Sequence, residues 1–332
     1  MLGKSSALTA TLAVASLTVM AACVVAVAED RATDANAVTE SAGESAATDP
    51  DRVRPLLGQV GLLPRPYDVP VCREPGTDEI IEVPDKGAPD DTRAIWVRRP
   101  PGPDSADRPV LYLLHGSTGT HRWLRDADVG PLLDEEMCRS GVEFVIAAPY
   151  GQEEMARDTE WGDSVDGSFK IETFVTDKAI EAVEGDNPRP RALRAIGGFS
   201  MGGYGAAALS LRHPDDYAQV VSWAGYFKVD DPSGTFGDNP DPHAPDQLLD
   251  GPRARDIRFM LIEGTEDETP LQEGVIGGEA ERFAALLAER GIEHTTLFPP
   301  GGHTMDAWRP TFPDAVDFLV EGWRAPAGPE DA

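Results

Sequence analysis

Positive charge is scarce in this chain: 29 Lys and Arg stand against 58 Asp and Glu in 332 residues, a formal net charge of −29. A surface this acidic repels phosphate backbones and anionic bilayers, so no nucleic acid and no anionic membrane surface is an expected partner. Cysteine is scarce too, limited to Cys23, Cys72 and Cys138. No CxxC or HExxH spacing occurs, and neither Cys72 nor Cys138 has the flanking motif of a catalytic thiol. The acidic stretch from Asp230 to Gly251 carries Asp230, Asp231, Asp238 and Asp241 without a twelve-residue EF-hand pattern. It reads as a solvated loop, with a part in the substrate pocket as the alternative. No metal and no cofactor is therefore expected. Internal repeats and a second domain are also lacking.

Long apolar runs are missing except at the start. Met1 to Ala28 contains one charge, Lys4, and closes on Ala26-Val27-Ala28 before Glu29, the pattern of a signal peptide over 1–28 with an A-x-A cleavage site. The uncharged stretch from Ser5 to Ala28 also exceeds the ~20 residues that span a bilayer, which leaves a retained anchor open. Met20-Ala21-Ala22-Cys23 offers a third reading, a surface lipoprotein tethered through acylated Cys23. The expectation is cleavage and a secreted, extracellular chain. Residues 29–52 hold Ala, Thr, Ser, Asp and Glu without aromatics, too little apolar surface to offset ordering entropy, so they are expected to form a disordered acidic linker. Residues 326–332 read as a disordered tail. Cys72 and Cys138 remain as a candidate disulfide in an exported chain, a pairing the sequence leaves open.

Between these ends, residues 53–325 read as one domain. Glu79 to Val83 and Arg93 to Arg98 have the character of antiparallel strands separated by turn residues. Strand and helix patterns then alternate. Pro109 to Leu114, Phe144 to Ala148, Leu193 to Gly197, Val220 to Ala224, Ile257 to Ile262 and Thr295 to Phe298 read as strands. Helices are expected within Val129 to Arg139, near Thr173 to Val183, and over Gly203 to Arg212, Glu279 to Arg290 and Phe312 to Trp323. Runs as continuously apolar as Val110 to Leu114 suit strands covered on both faces, so the fold class is α/β, a mostly parallel central sheet with helices on both sides.

One junction in this pattern carries chemistry. Gly198-Phe199-Ser200-Met201-Gly202 follows a strand and opens a helix, the setting of a nucleophile elbow. A serine hydroxyl needs a base and a group that orients the base. Asp267 lies in Gly264-Thr265-Glu266-Asp267 just past a strand, and His303 lies in Pro300-Gly301-Gly302-His303 past the next one. The order Ser200, Asp267, His303 is the chain order of α/β-hydrolases. His303 is preferred as base because only it follows Asp267 on a glycine-flanked loop. His115 is read as shaping its loop, His213 as a cation at a helix C-terminus, and His243 and His294 as structural. Backbone N–H groups of Ser117, in the loop opened by His115-Gly116, and of Met201 are the expected oxyanion donors.

Leu113-Leu114-His115-Gly116, Gly198 to Gly203, Gly264-Thr265-Glu266-Asp267, Gly301-Gly302-His303 with Trp308, and Glu172-Thr173-Phe174 together resemble the esterase D-like branch of the α/β-hydrolases. That branch includes S-formylglutathione hydrolases, feruloyl esterases and secreted mycolyltransferases, and the likeness covers roughly residues 70 to 325. It implies a serine carboxylic-ester hydrolase working through an acyl-enzyme on Ser200, with a small-molecule or glycan or lipid ester as substrate. Mycolyltransferases carry a glutamate as the acidic member, so Asp267 favours hydrolysis, while Glu266 beside it keeps transfer to a sugar or lipid hydroxyl open. A non-catalytic binding protein on the same fold is the remaining alternative, disfavoured by the intact Ser200, Asp267 and His303.

Overall fold

The computed structural model describes residues 69–153 and 157–325. The proposed signal, linker, tail and Cys23 tether lie outside them. All described residues fall in a single compact unit.

Eight strands build one sheet: β1 (Thr77–Pro84), β2 (Thr92–Arg99), β3 (Val110–Leu114), β4 (Val145–Pro149), β5 (Arg194–Phe199), β6 (Gln219–Trp223), β7 (Arg258–Ile262) and β8 (His294–Leu297). Their spatial order is β1-β2-β4-β3-β5-β6-β7-β8. β2 runs antiparallel to both of its neighbours, and every pairing from β4 to β8 is parallel. The expected strands are all present, with ends shifted by one or two residues.

The helices are α1 (Trp123–Asp126), α2 (Val129–Ser140), α3 (Ile171–Thr173), α4 (Ala179–Glu184), α5 (Met201–Arg212), α6 (Glu279–Glu289), α7 (Met305–Trp308) and α8 (Phe312–Arg324). A π-helical turn, Phe174–Lys178, joins α3 to α4. The central parallel strands β3 to β7 are buried on both faces, as their apolar runs require, while β8 at the edge is half-exposed. Alternate residues feed two cores. Tyr112, Ile196, Val220 and Phe259 meet Phe174, Val183, Phe283 and Leu287 on one side. Leu111, Leu113, Val221 and Met260 meet Leu133, Met137, Val316 and Leu319 on the other. A disulfide between Cys72 and Cys138, with Cα atoms 5.0 Å apart, ties the segment before β1 to α2.

The segment from Asp230 to Gly251 is packed rather than merely solvated. It contains the short turns Asp241–His243 and Pro245–Gln247, and Phe236 stacks on His243 at 3.8 Å. Val165 N–H donates to Thr235 O, and Thr235 Oγ1 donates to Asp158 O, so the segment braces residues 158–165.

Candidate active site

In an open parallel sheet, groups that act on a ligand collect beyond the carboxyl ends of the strands. Here the loops after β3, β5, β7 and β8 meet at that edge and bring Ser117, Ser200, Asp267 and His303 to one place.

Ser200 occupies the corner between β5 and α5 with φ 57° and ψ −121°, a conformation that L-residues rarely adopt. Its neighbours explain how the corner is tolerated. A Cβ on Gly198 would lie 2.3 Å from Gly202 O, and one on Gly202 would lie 2.2 Å from Leu114 O. Both glycines are thus required by backbone crowding. Ser200 N–H donates to Trp223 O at 2.8 Å, which fastens the corner to the adjacent strand.

Asp267 and His303 are aligned by an extension of the β7–β8 pairing. Glu263, Thr265 and Glu266 donate backbone N–H bonds to Leu297 O, Pro299 O and Gly301 O, carrying the two loops forward together. His303 Nδ1 then lies 2.7 Å from Asp267 Oδ2, and Thr269 N–H donates to Asp267 Oδ1 at 3.1 Å. Burial pushes the Asp267 carboxyl up, but the bonds from His303 and Thr269 outweigh it and hold the group below its ordinary range. Asp267 is 3% exposed whereas Glu266 faces solvent, so the structure pairs the histidine with the aspartate.

A cleft of about 410 Å³ lies at this junction. Ser117, Ser200, Thr269 and His303 give it polar groups, and Trp123, Phe199, Met305 and Trp308 give it apolar walls. Phe199 stacks on Trp223 at 4.8 Å and packs edge-on against Trp123, while Trp308 stands perpendicular to the His303 ring at 5.1 Å. Ser200 and His303 share the cleft without a hydrogen bond between them in this structure; such bonds often tighten only when substrate binds. A larger groove of about 810 Å³ runs between β8 and α8, but no candidate catalytic residue lines it, so the chemistry selects the smaller one. No residue of 230–251 lines the 410 Å³ cleft. Among the described residues, no cluster of three or more His, Cys, Asp or Glu is placed to hold a metal ion.

The loop after β3 reaches the nucleophile closely: a Cβ on Gly116 would lie 3.3 Å from Ser200 Cβ. Neither Ser117 N–H nor Met201 N–H has an acceptor among the described residues, and Met201 opens α5, where N–H groups are free by construction. His115 is fully buried and burial lowers it to about 4, so the ring is neutral. Gly151 N–H donates to its Nε2 at 3.0 Å, which puts the ring proton on Nδ1, 2.8 Å from Gly116 O. Its loop-shaping role is thereby visible. His213 faces Glu172 at 2.7 Å instead of simply ending a helix. Sequence reasoning passed over His121, Trp123, Asp158 and Thr269, none of which belongs to a spaced motif.

This fold, with a serine corner and a histidine–aspartate pair at one strand edge, places the chain among enzymes of ester chemistry, hydrolase or acyltransferase, on the α/β-hydrolase scaffold. Residues 87–319 match the family described as "Putative esterase", and the chain belongs to that family, within the esterase D-like branch. It is 29% identical over 189 residues to the diacylglycerol acyltransferase/mycolyltransferase Ag85A of Mycobacterium leprae, a match covering 55% of this chain and 52% of the relative. The chain thus spans about half the length of that curated relative. Among solved structures it is similar to a ferulic acid esterase (TM-score 0.63, 20% identity, 75% of this chain and 99% of the other). It is also similar to an S-formylglutathione hydrolase from Agrobacterium tumefaciens (TM-score 0.62, 17% identity, 75% and 96%).

Proposed function

We propose that the protein is a secreted serine esterase that works through an acyl-enzyme on Ser200. The observation that carries this reading is the buried Asp267 bonded to His303 in the same cleft as Ser200. Ser200 Oγ attacks the ester carbonyl carbon while His303 Nε2 takes the hydroxyl proton, and Asp267 holds the imidazole with its Nδ1 protonated and stabilises the cation that forms. The developing oxyanion accepts bonds from the N–H groups of Ser117 and Met201. Collapse expels the alcohol, which receives the proton from His303. Water then enters, gives its proton to His303 and attacks the acyl carbon, and release of the acid restores Ser200.

Transfer of the acyl group to a hydroxyl in place of water is the second reading, favoured by the likeness to the mycobacterial acyltransferase. The two differ only in which nucleophile reaches the acyl carbon. The Cys72–Cys138 disulfide supports export to an oxidising compartment, where such bonds persist. Residues 1–28 would then act as signal and 29–52 as linker to a catalytic domain over 53–325, or Cys23 would tether it to a surface.

A fluorophosphonate probe tests the nucleophile: labelling should occur at Ser200 and vanish in Ser200→Ala, and labelling that survives that substitution removes the assignment. Turnover of p-nitrophenyl esters with and without trehalose or glycerol separates the two readings. Free acid should dominate, and a product ratio dominated by the acceptor ester would make the protein a transferase.

A further inference from the structure

The loop 115–119 is a strained turn held from outside. Thr118 has φ 58°, where a β-branched residue is strained by roughly 1–3 kcal/mol and persists only if its surroundings over-determine it. Inside the loop, Gly116 O accepts Gly119 N–H at 3.0 Å. Three further contacts come from Gly151, Asp158 and Trp161. Gly151 N–H reaches His115 Nε2, and Trp161 Nε1–H donates to His115 O at 3.2 Å, so both hold the root of the loop. The third reaches Ser117 itself: its Oγ lies 2.6 Å and 2.7 Å from the two carboxylate oxygens of Asp158. A hydroxyl has one proton to give, so these distances describe a single bond shared by a carboxylate, the stronger kind of acceptor. Asp158 is fixed in turn, with Gln152 Nε2 at 3.3 Å from Oδ1 and Thr235 Oγ1 donating to its backbone carbonyl at 3.4 Å.

We propose that Asp158 is a positioning residue for the ester chemistry: its carboxylate latches the Ser117 hydroxyl and so fixes the direction in which the Ser117 N–H points into the cleft. The inference rests on the reading of Ser117 N–H as an oxyanion donor. A latch and a charge predict opposite signs. An acidic side chain acting only through its field opposes a developing oxyanion, so deleting it would speed the reaction. Deleting a latch slows it, because a donor off by a fraction of an ångström loses most of its advantage in the transition state. Substrate binding in the ground state is left alone.

The full-length enzyme is assayed as Ser117→Ala, Asp158→Ala, the double variant and Asp158→Asn, recording kcat, KM, Tm and the affinity of a trifluoromethyl ketone that forms a tetrahedral adduct on serine. Ser117→Ala and Asp158→Ala should each lower kcat about tenfold at unchanged KM, and weaken the ketone by a similar factor. The double variant should be no slower than either single one, and Asp158→Asn, which keeps one acceptor oxygen, should fall between. Wild-type kcat in either alanine variant, additive losses in the double variant, or a faster Asp158→Ala overturns the latch. Ser200→Ala is the separate control. Residual turnover there removes the nucleophile reading itself, whatever the latch variants do.

Discussion

Glu266 and Asp267 are adjacent carboxylates with opposite surroundings, and the difference decides which one serves His303. Asp267 is buried against the imidazole and bonded by Thr269, whereas Glu266 contributes its backbone N–H to Gly301 O and turns its side chain to water. Replacing Asp267 with Asn keeps the volume but favours the wrong imidazole tautomer, so kcat should drop by about 10⁴. Glu266→Gln should leave kcat within about twofold of wild type, since a surface substitution away from the reacting groups changes little. Steady-state kinetics on one p-nitrophenyl ester check both, and the reverse ranking would move the acidic role to Glu266. Gly202 makes a sharper case on the stability side. An alanine methyl there meets Leu114 O at 2.2 Å, and backbone cannot swing aside as a side chain can. Gly202→Ala should destabilise by about 1–3 kcal/mol in urea unfolding and slow the enzyme, because β3 and α5 must separate at the corner that carries Ser200.

At the scale of elements, the loop after β3 depends on a neutral histidine. Burial lowers His115 to about 4, against ~6.5 in an unfolded chain. Below pH ~6.5 the unfolded state binds a proton that the folded state refuses, so stability is full above that pH and is lost as pH falls toward 4. For this one group the loss approaches about 3 kcal/mol by pH 4. Urea unfolding at pH 7, 5.5 and 4.5 should show the decline, and His115→Asn should unfold more easily at pH 7 yet lose less on acidification. His121 and His243, also lowered to about 4 by burial, add the same slope in both proteins, so the difference between them isolates His115. An equal slope in wild type and variant would place the acid sensitivity elsewhere.

For the whole molecule, the disulfide is the main covalent constraint among the described residues. Cys72 and Cys138 are 66 residues apart, and the loop they close spans β1, β2 and β3, the strands ahead of the oxyanion-type loop. Chain-entropy reasoning for a loop of that length gives a stabilisation of about 4 kcal/mol, reduced by whatever structure the reduced chain retains. Reduction, or Cys72→Ser with Cys138→Ser, should lower Tm by several degrees while leaving kcat of the folded enzyme near wild type, as both cysteines lie outside the cleft. Unchanged Tm after complete reduction would show that the core alone holds this edge of the fold.

Much of this was legible in the chain. The unbroken apolar runs of Val110 to Leu114 and Ile257 to Ile262 require strands covered on both faces, and their alternation with helical periods specifies a parallel sheet. Gly198 and Gly202 around Ser200 were readable for the same physical reason that the structure displays, since only glycine fits where two backbones nearly touch. The positions of Asp267 and His303 past strand ends were readable because parallel sheets present their loops on one edge. What tertiary structure alone decided are contacts between segments with no common period. Sequence left Asp267 and Glu266 in competition, left the pairing of Cys72 with Cys138 open, and gave no sign that Gly151, Asp158 and Trp161 hold the loop after β3. Proximity of Asp158 to Ser117, 41 residues away, is set by the sheet and the packed loops above it, and local propensity carries no record of that distance.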